Sequence, residues 1–139
     1  MKKSLATRCV DAMYKDDYFS QWLGVERIEE SAGSSVLRMT VRREMLNGFG
    51  IAHGGITYSL ADSALAFASN SHGRKAVSIE TSISHIEQVR EGDVLTAVAT
   101  EESLSNKIGI YRIEVKNQDS KTVALFKGTV YRTGREWEV

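Results

Sequence analysis

From Ile56 onward apolar residues recur at helical spacing. Ile56, Leu60, Ala64 and Phe67 fall on one face, and no Gly or Pro interrupts them before Gly73. The opposite face, Gly55, Ser59, Asp62, Ala66 and Ser69, is nearly all small. A helix that is apolar on one side and small on the other is a buried helix, not a surface rod. The pattern predicts one long helix starting at the Gly54-Gly55 pair and ending near Ser71, with His72-Gly73 as its cap. Ahead of it, Ser4 to Asp17 reads as an amphipathic helix with Leu5, Cys9, Val10 and Met13 on one stripe. The apolar patch Tyr18 to Leu23 follows, read either as a packing lid over the sheet or as lining for a substrate pocket.

The remaining runs alternate with period two. Val25 to Ser31 and Ser35 to Val41 flank the hairpin turn Ala32-Gly33-Ser34. After the long helix come Lys75 to Gln88, Val94 to Ser103, Ile108 to Asn117 and Thr122 to Thr133. They are separated by the turn sequences Arg90-Glu91-Gly92-Asp93, Ser105-Asn106 and Asn117-Gln118-Asp119-Ser120. Short runs with close turns predict antiparallel pairing. In the first of these four, Val77, Ile79, Thr81 and Ile83 are expected to share one face. The tail Gly134 to Val139 is expected to fray. The chain thus reads as one α+β domain over residues 1–139: a helical segment at 1–23, then a core at 24–133 in which an antiparallel sheet wraps one long central helix. The last four runs carry apolar residues on both faces, which a second copy of the chain would cover along with a sheet edge.

Composition narrows the function classes. The 139 residues carry 18 basic and 18 acidic side chains, so the formal charge is zero and no basic face for nucleic acid is indicated. The single cysteine, Cys9, allows no intrachain disulfide, and no Cys/His set has metal spacing. Charges interrupt Ser4 to Tyr18, leaving no apolar run long enough for a signal peptide or a membrane span. A cytoplasmic protein with no membrane partner is expected.

Asp62 is the residue that needs a reason, because carboxylates are seldom buried mid-helix without one. The glycine-rich turn Asn47 to Gly55 leads directly into the helix, whose first N–H groups carry about half a positive charge. Such an end can hold an oxygen that becomes negative. We expect the Gly55 N–H to be that donor, with Gly54 serving backbone conformation. Asp62 would be the general base or the nucleophile; the competing reading is a structural carboxylate bonded to backbone or to an Arg. Asp62 lies seven residues past Gly55, about 10 Å along the axis at 1.5 Å per residue. One carbonyl carbon cannot easily touch both within a single subunit, so the site is expected to lie between two chains.

The pattern Asn47-x5-His53-Gly54-Gly55-x6-Asp62 resembles the signature of the hotdog-fold acyl-CoA thioesterases, in their PaaI-like branch. The runs Ser59 to Ser71 and Lys121 to Gly128 are similar to the phenylacetate-pathway members. The resemblance covers the chain beyond its first twenty or so residues. It implies an acyl-CoA thioester as substrate, an aryl-acetyl group as the acyl part, no cofactor, and a dimer that pairs again into a tetramer. It also implies site roles for His53, as a group positioning the turn or substrate, and for Asn47, whose amide could hold the attacking water or bond Asp62 across the interface. Each has a plainer reading, a satisfied polar residue for His53 and a turn Asn in the left-handed region for Asn47. Ser78 and Thr81 on the following strand are candidates for assisting the substrate, while His72 and His85 read as structural or surface residues. Arg42, Arg43, Arg74, Lys75, Arg90 and Lys107 could meet coenzyme A phosphates. Two other functions remain open: a hydratase or dehydratase of acyl thioesters, and a module that binds acyl-CoA without turnover.

Overall fold

A computed structural model of the protein describes residues 2–139. The elements run α1 (Leu5–Lys15), α2 (Tyr18–Leu23), β1 (Glu26–Ser31), β2 (Ser34–Thr40), a single 3-10 turn (Arg43–Met45), α3 (Gly54–Asn70), β3 (Arg74–His85), β4 (Val94–Leu104), β5 (Ile108–Lys116) and β6 (Thr122–Glu136). The strands form one sheet of order β1-β2-β4-β5-β6-β3, every neighbour antiparallel. This is the expected sheet wrapped around a central helix, the hotdog fold. A single core joins the two layers: Leu60, Ala64, Phe67 and Ala68 of α3 pack with Leu37, Met39, Leu95, Ile113 and Phe126 of the sheet. At Gly128 of β6 a Cβ atom would overlap the buried Leu65 side chain, so glycine there lets α3 lie close on the sheet.

Three local expectations change. The apolar patch after α1 is a separate helix. Asp17 caps it, its carboxylate accepting from the Ser20 N–H at 3.0 Å, and Gly24 closes it at φ 77°. Its buried residues are Ser20 and Leu23, whereas Tyr18, Phe19 and Trp22 point away from the core. The tail does not fray at Gly134. β6 runs to Glu136, the Trp137 N–H donates to the Gly73 carbonyl at 2.8 Å, and the Trp137 indole N–H donates to Asn70 Oδ1 at 2.9 Å. Asn70, buried at the end of α3, also bonds both the N–H and the carbonyl of Ala76, so one amide ties helix, strand and tail together.

The third change concerns β3, the edge strand. Ser78 pairs with Val130 and Glu80 pairs with Thr129, leaving Ile79 as an extra residue in a β-bulge. A one-residue slip reverses which face each side chain takes. Val77 therefore lies on the outer face, opposite Tyr131, while Thr81 and Ile83 lie on the inner face, opposite Gly128 and Phe126. The four residues do not share a face as the alternation suggested. Ser78, Thr81, Ile83 and His85 line the side that meets α3. Apolar side chains do occupy the outer face, where Val77, Val98, Leu125 and Tyr131 are exposed.

Candidate active site

The helix start is built by its own side chains. His53 takes an extended conformation (φ −60°, ψ 137°) as the N-cap of α3, and its Nδ1 accepts the Gly55 N–H at 2.9 Å. That bond requires a ring with Nδ1 unprotonated. His53 thus positions the turn. It also occupies the donor expected to serve the substrate, because the Gly55 N–H already has a partner. The Gly54 N–H, one residue earlier, finds no acceptor among the described residues. Of the glycines Gly48, Gly50, Gly54 and Gly55, only Gly50 takes a positive φ. At Gly54 a Cβ would come within 3.2 Å of the His85 ring, so glycine there permits a close approach.

Asn47 organises the loop that delivers His53. Its Oδ1 accepts from the Phe49 N–H at 2.9 Å, and its backbone N–H donates to the Ile51 carbonyl at 2.8 Å. Its backbone is not left-handed, so the turn role rests on the side-chain carbonyl. The side-chain amide NH2 has no acceptor among the described residues, and Asn47 lines a cavity of about 310 Å³ with Gly54, Thr57 and His85. His85 belongs to this site region by position, although it reads as structural or surface in the sequence. It continues the inner-face series of Thr81 and Ile83 by two residues, and that series was the available signal.

Asp62 sits two turns further along α3. It forms no hydrogen bond or ion pair with any described residue of its own chain, neither backbone nor Arg. It lines a separate cavity of about 270 Å³ with Ser78, Leu65 and Val130. Burial pushes its carboxyl above the ordinary aspartate value, and the negative charge of Asp17 adds to the rise. Asp17 is itself fixed by two bonds from Ser20, whose hydroxyl also contacts Ser63 Oγ at 2.7 Å. Asp17→Asn keeps the cap acceptor but removes the charge. If Asp62 works as a base, the acid limb of kcat/KM moves to lower pH in that variant, measurable in a pH–rate profile.

The candidates therefore divide. Asp62 and Ser78 share one cavity, Asn47 and Gly54 a second, and His53 with Gly55 border a third of about 400 Å³. Thr81 joins none of them, its hydroxyl being bonded to the Tyr58 hydroxyl of α3. Among the basic residues, Arg42 binds the carbonyls of Trp22 and Leu23, Arg74 binds Asn106, and Lys75 lies over the Trp137 ring at 4.8 Å. Beyond its first turn, the accessible stripe of α3 is Ser59, Asp62 and Ala66, continuing from Gly55. It runs alongside the unpaired edge of β3, where Val77 and Ile79 are more than half exposed.

The six-stranded antiparallel sheet wrapped around α3 defines a protein of the hotdog class. Residues 49–124 match the model of the thioesterase superfamily, and the chain belongs to that family. It is 43% identical to the acyl-coenzyme A thioesterase PaaI of Escherichia coli strain K12 over 88% of each chain. The structure of the E. coli PaaI protein from the phenylacetic acid degradation operon superposes with a TM-score of 0.93 at 41% identity, covering 95% of this chain and 96% of that one. A Streptococcus mutans protein solved bound to acetyl CoA matches with a TM-score of 0.79 at 26% identity, over 81% of this chain and 91% of its own. No described helix is long and apolar enough to cross a membrane.

Proposed function

We propose that the protein hydrolyses acyl-CoA thioesters at a site shared by two protomers. The observation that carries this reading is Asp62: a raised, unpartnered carboxylate in a cavity on the one open stripe of an otherwise buried helix. Mere binding gains nothing from an acid beside a thioester. Two copies joined along β3 would continue the sheet and cover the exposed Val77 and Ile79. The open stripes of their α3 helices would then face each other. In that arrangement the helix start of one protomer approaches Asp62 of the other, which removes the separation of about 12 Å between Gly54 and Asp62 within one helix.

The acyl carbonyl oxygen docks at the first turn of α3, on the free Gly54 N–H. The developing oxyanion is stabilised there by the helix dipole, while Gly55 keeps His53 in place. Asp62 of the partner protomer takes a proton from water as the water oxygen bonds to the carbonyl carbon. The tetrahedral intermediate then expels the coenzyme A sulfur, which recovers the proton, giving a carboxylic acid and free thiol. In the alternative route the carboxylate attacks first, forming a mixed anhydride that water opens. Label from isotopic water retained in Asp62 after one turnover selects the second route. The Asn47 amide supports water or the carboxylate, and Ser78 lies beside Asp62.

The likeness to PaaI supports an aryl-acetyl-CoA substrate, a cytoplasmic place in phenylacetate-type degradation, and a tetramer formed as a dimer of dimers. The apolar outer face around Val98, Leu125 and Tyr131 offers a second surface for such pairing. Thiol release from a panel of acyl-CoA thioesters, ranked by kcat/KM, tests the reading. Water addition to an enoyl thioester without thiol release would point to a hydratase, and tight binding without either reaction to a binding module.

A further inference from the structure

We propose that Phe19 and Trp22 on α2 form the wall on which a flat aromatic acyl group lies, making this pair the specificity determinant of the site. The inference rests on the thioesterase reading and adds an acyl subsite to it. The two rings are 54% and 49% exposed, stacked with centroids 5.9 Å apart at 25°. They do not serve the core, which α2 reaches through Ser20 and Leu23 instead. The helix that carries the two rings is held at several points. Asp17 and Gly24 close the two ends of α2. Arg42 donates to the Trp22 carbonyl at 2.7 Å and to the Leu23 carbonyl at 2.9 Å, and its guanidinium sits 4.8 Å from the centre of the Trp22 ring. An exposed ring pair held this way is preorganised for a ligand.

The pair lines a cavity of about 400 Å³ together with the apolar Met45, Leu46 and Ile56 and with His53 and Gly55 of the helix start. That volume is in the range of small-molecule sites, about 300–1,000 Å³. This cavity reaches the first turn of α3 at Gly55, and the one lined by Asn47 and His85 reaches it at the preceding residue, Gly54. A thioester lying across the first turn thus has two exits. Its acyl group leaves toward the aromatic wall, and its sulfur arm toward the more polar cavity. Straight-chain acyl groups gain burial on such a wall, but only a ring gains the offset stack as well. α2 lies outside residues 49–124, so the wall is no part of what the family model matches.

The test uses Phe19→Leu/Trp22→Leu, which keeps apolar bulk and removes both flat rings. Thiol release is followed with phenylacetyl-CoA and hexanoyl-CoA. The wall predicts a fall of about tenfold or more in kcat/KM for phenylacetyl-CoA, with hexanoyl-CoA changed by less than about twofold. Trp22→Phe, which retains a ring, should keep the wild-type preference. Equal losses on both substrates, or no loss on either, overturn the proposal. Trp22 also reports binding directly: phenylacetyl-CoA should change the protein's fluorescence in wild type and not in Trp22→Leu. A wild type that shows this signal but cleaves neither thioester would keep the wall and refute the hydrolase reading. Absence of the signal refutes the wall whatever the turnover.

Discussion

Asp62→Asn is expected to lower kcat/KM for the best acyl-CoA by roughly 10²–10⁴-fold, the range for a positioned acid–base group, while raising the melting temperature at neutral pH. The two effects have one cause. Burial and the nearby Asp17 charge raise the Asp62 carboxyl in the folded state. For an acid, a folded value above the unfolded one means that ionisation costs stability. That cost is fully present above the folded value and disappears below the unfolded one, where the carboxyl is protonated in both states. Asn carries no such cost. Its stability advantage over the wild type is therefore greatest at neutral pH and shrinks as the pH falls through the two values. Thermal unfolding from neutral to acid pH, alongside thiol release, checks both halves. Undiminished hydrolysis in the variant would remove Asp62 from the mechanism. A lower melting temperature at neutral pH would mean that the carboxylate is a structural group after all.

Gly54→Pro is expected to cost about 10²–10³-fold in kcat, the scale of one lost oxyanion donor, with little change in fold. Position 54 is the first residue of α3. Proline is favoured there, because the N–H of that residue has no helical partner to lose. The preceding His53 is already extended, at ψ 137°, as a residue before proline prefers. The added ring meets the exposed His85 side chain, which can move. The variant thus removes one N–H from the site and keeps the helix. Unchanged kcat with unchanged circular dichroism would reassign the donor, with Gly55 next in line after release from His53.

Much of this architecture is legible in the residues, and the parts that are not have physical reasons. α3 is readable because a buried helix must keep Ile56, Leu60, Ala64 and Phe67 on one side, and its small face follows from the same periodicity. The bulge at Ile79 carries no glycine or proline to mark it. The alternation simply continues through it and puts Val77 on one face with Ile83, whereas the pairing with β6 sets them on opposite ones. The tail from Gly134 looks polar and loose, and it is held by Trp137 reaching Asn70, a contact 67 residues apart in the chain. The break at Asp17 was within reach, since an Asp three residues before a Ser N–H is ordinary capping chemistry. At the site, Asp62 stands out as an acid among small residues. The choice between Gly54 and Gly55 depends on which ring nitrogen of His53 meets which N–H, a matter of three-dimensional geometry alone.

Mixing Asp62→Asn with Gly54→Pro tests the shared site most directly. Each variant alone is expected to be nearly inactive. If the helix start of one protomer works with the acid of its neighbour, a mixed dimer holds one intact site and one doubly defective site. Subunits exchanged at equal amounts by dilute denaturant should then recover about a quarter of wild-type activity, since half of the dimers are mixed and half of their sites are whole. Recovery near that level supports convergence of the two groups across the interface. No recovery, with exchange verified by differently tagged chains, would contradict it and return the whole site to a single chain.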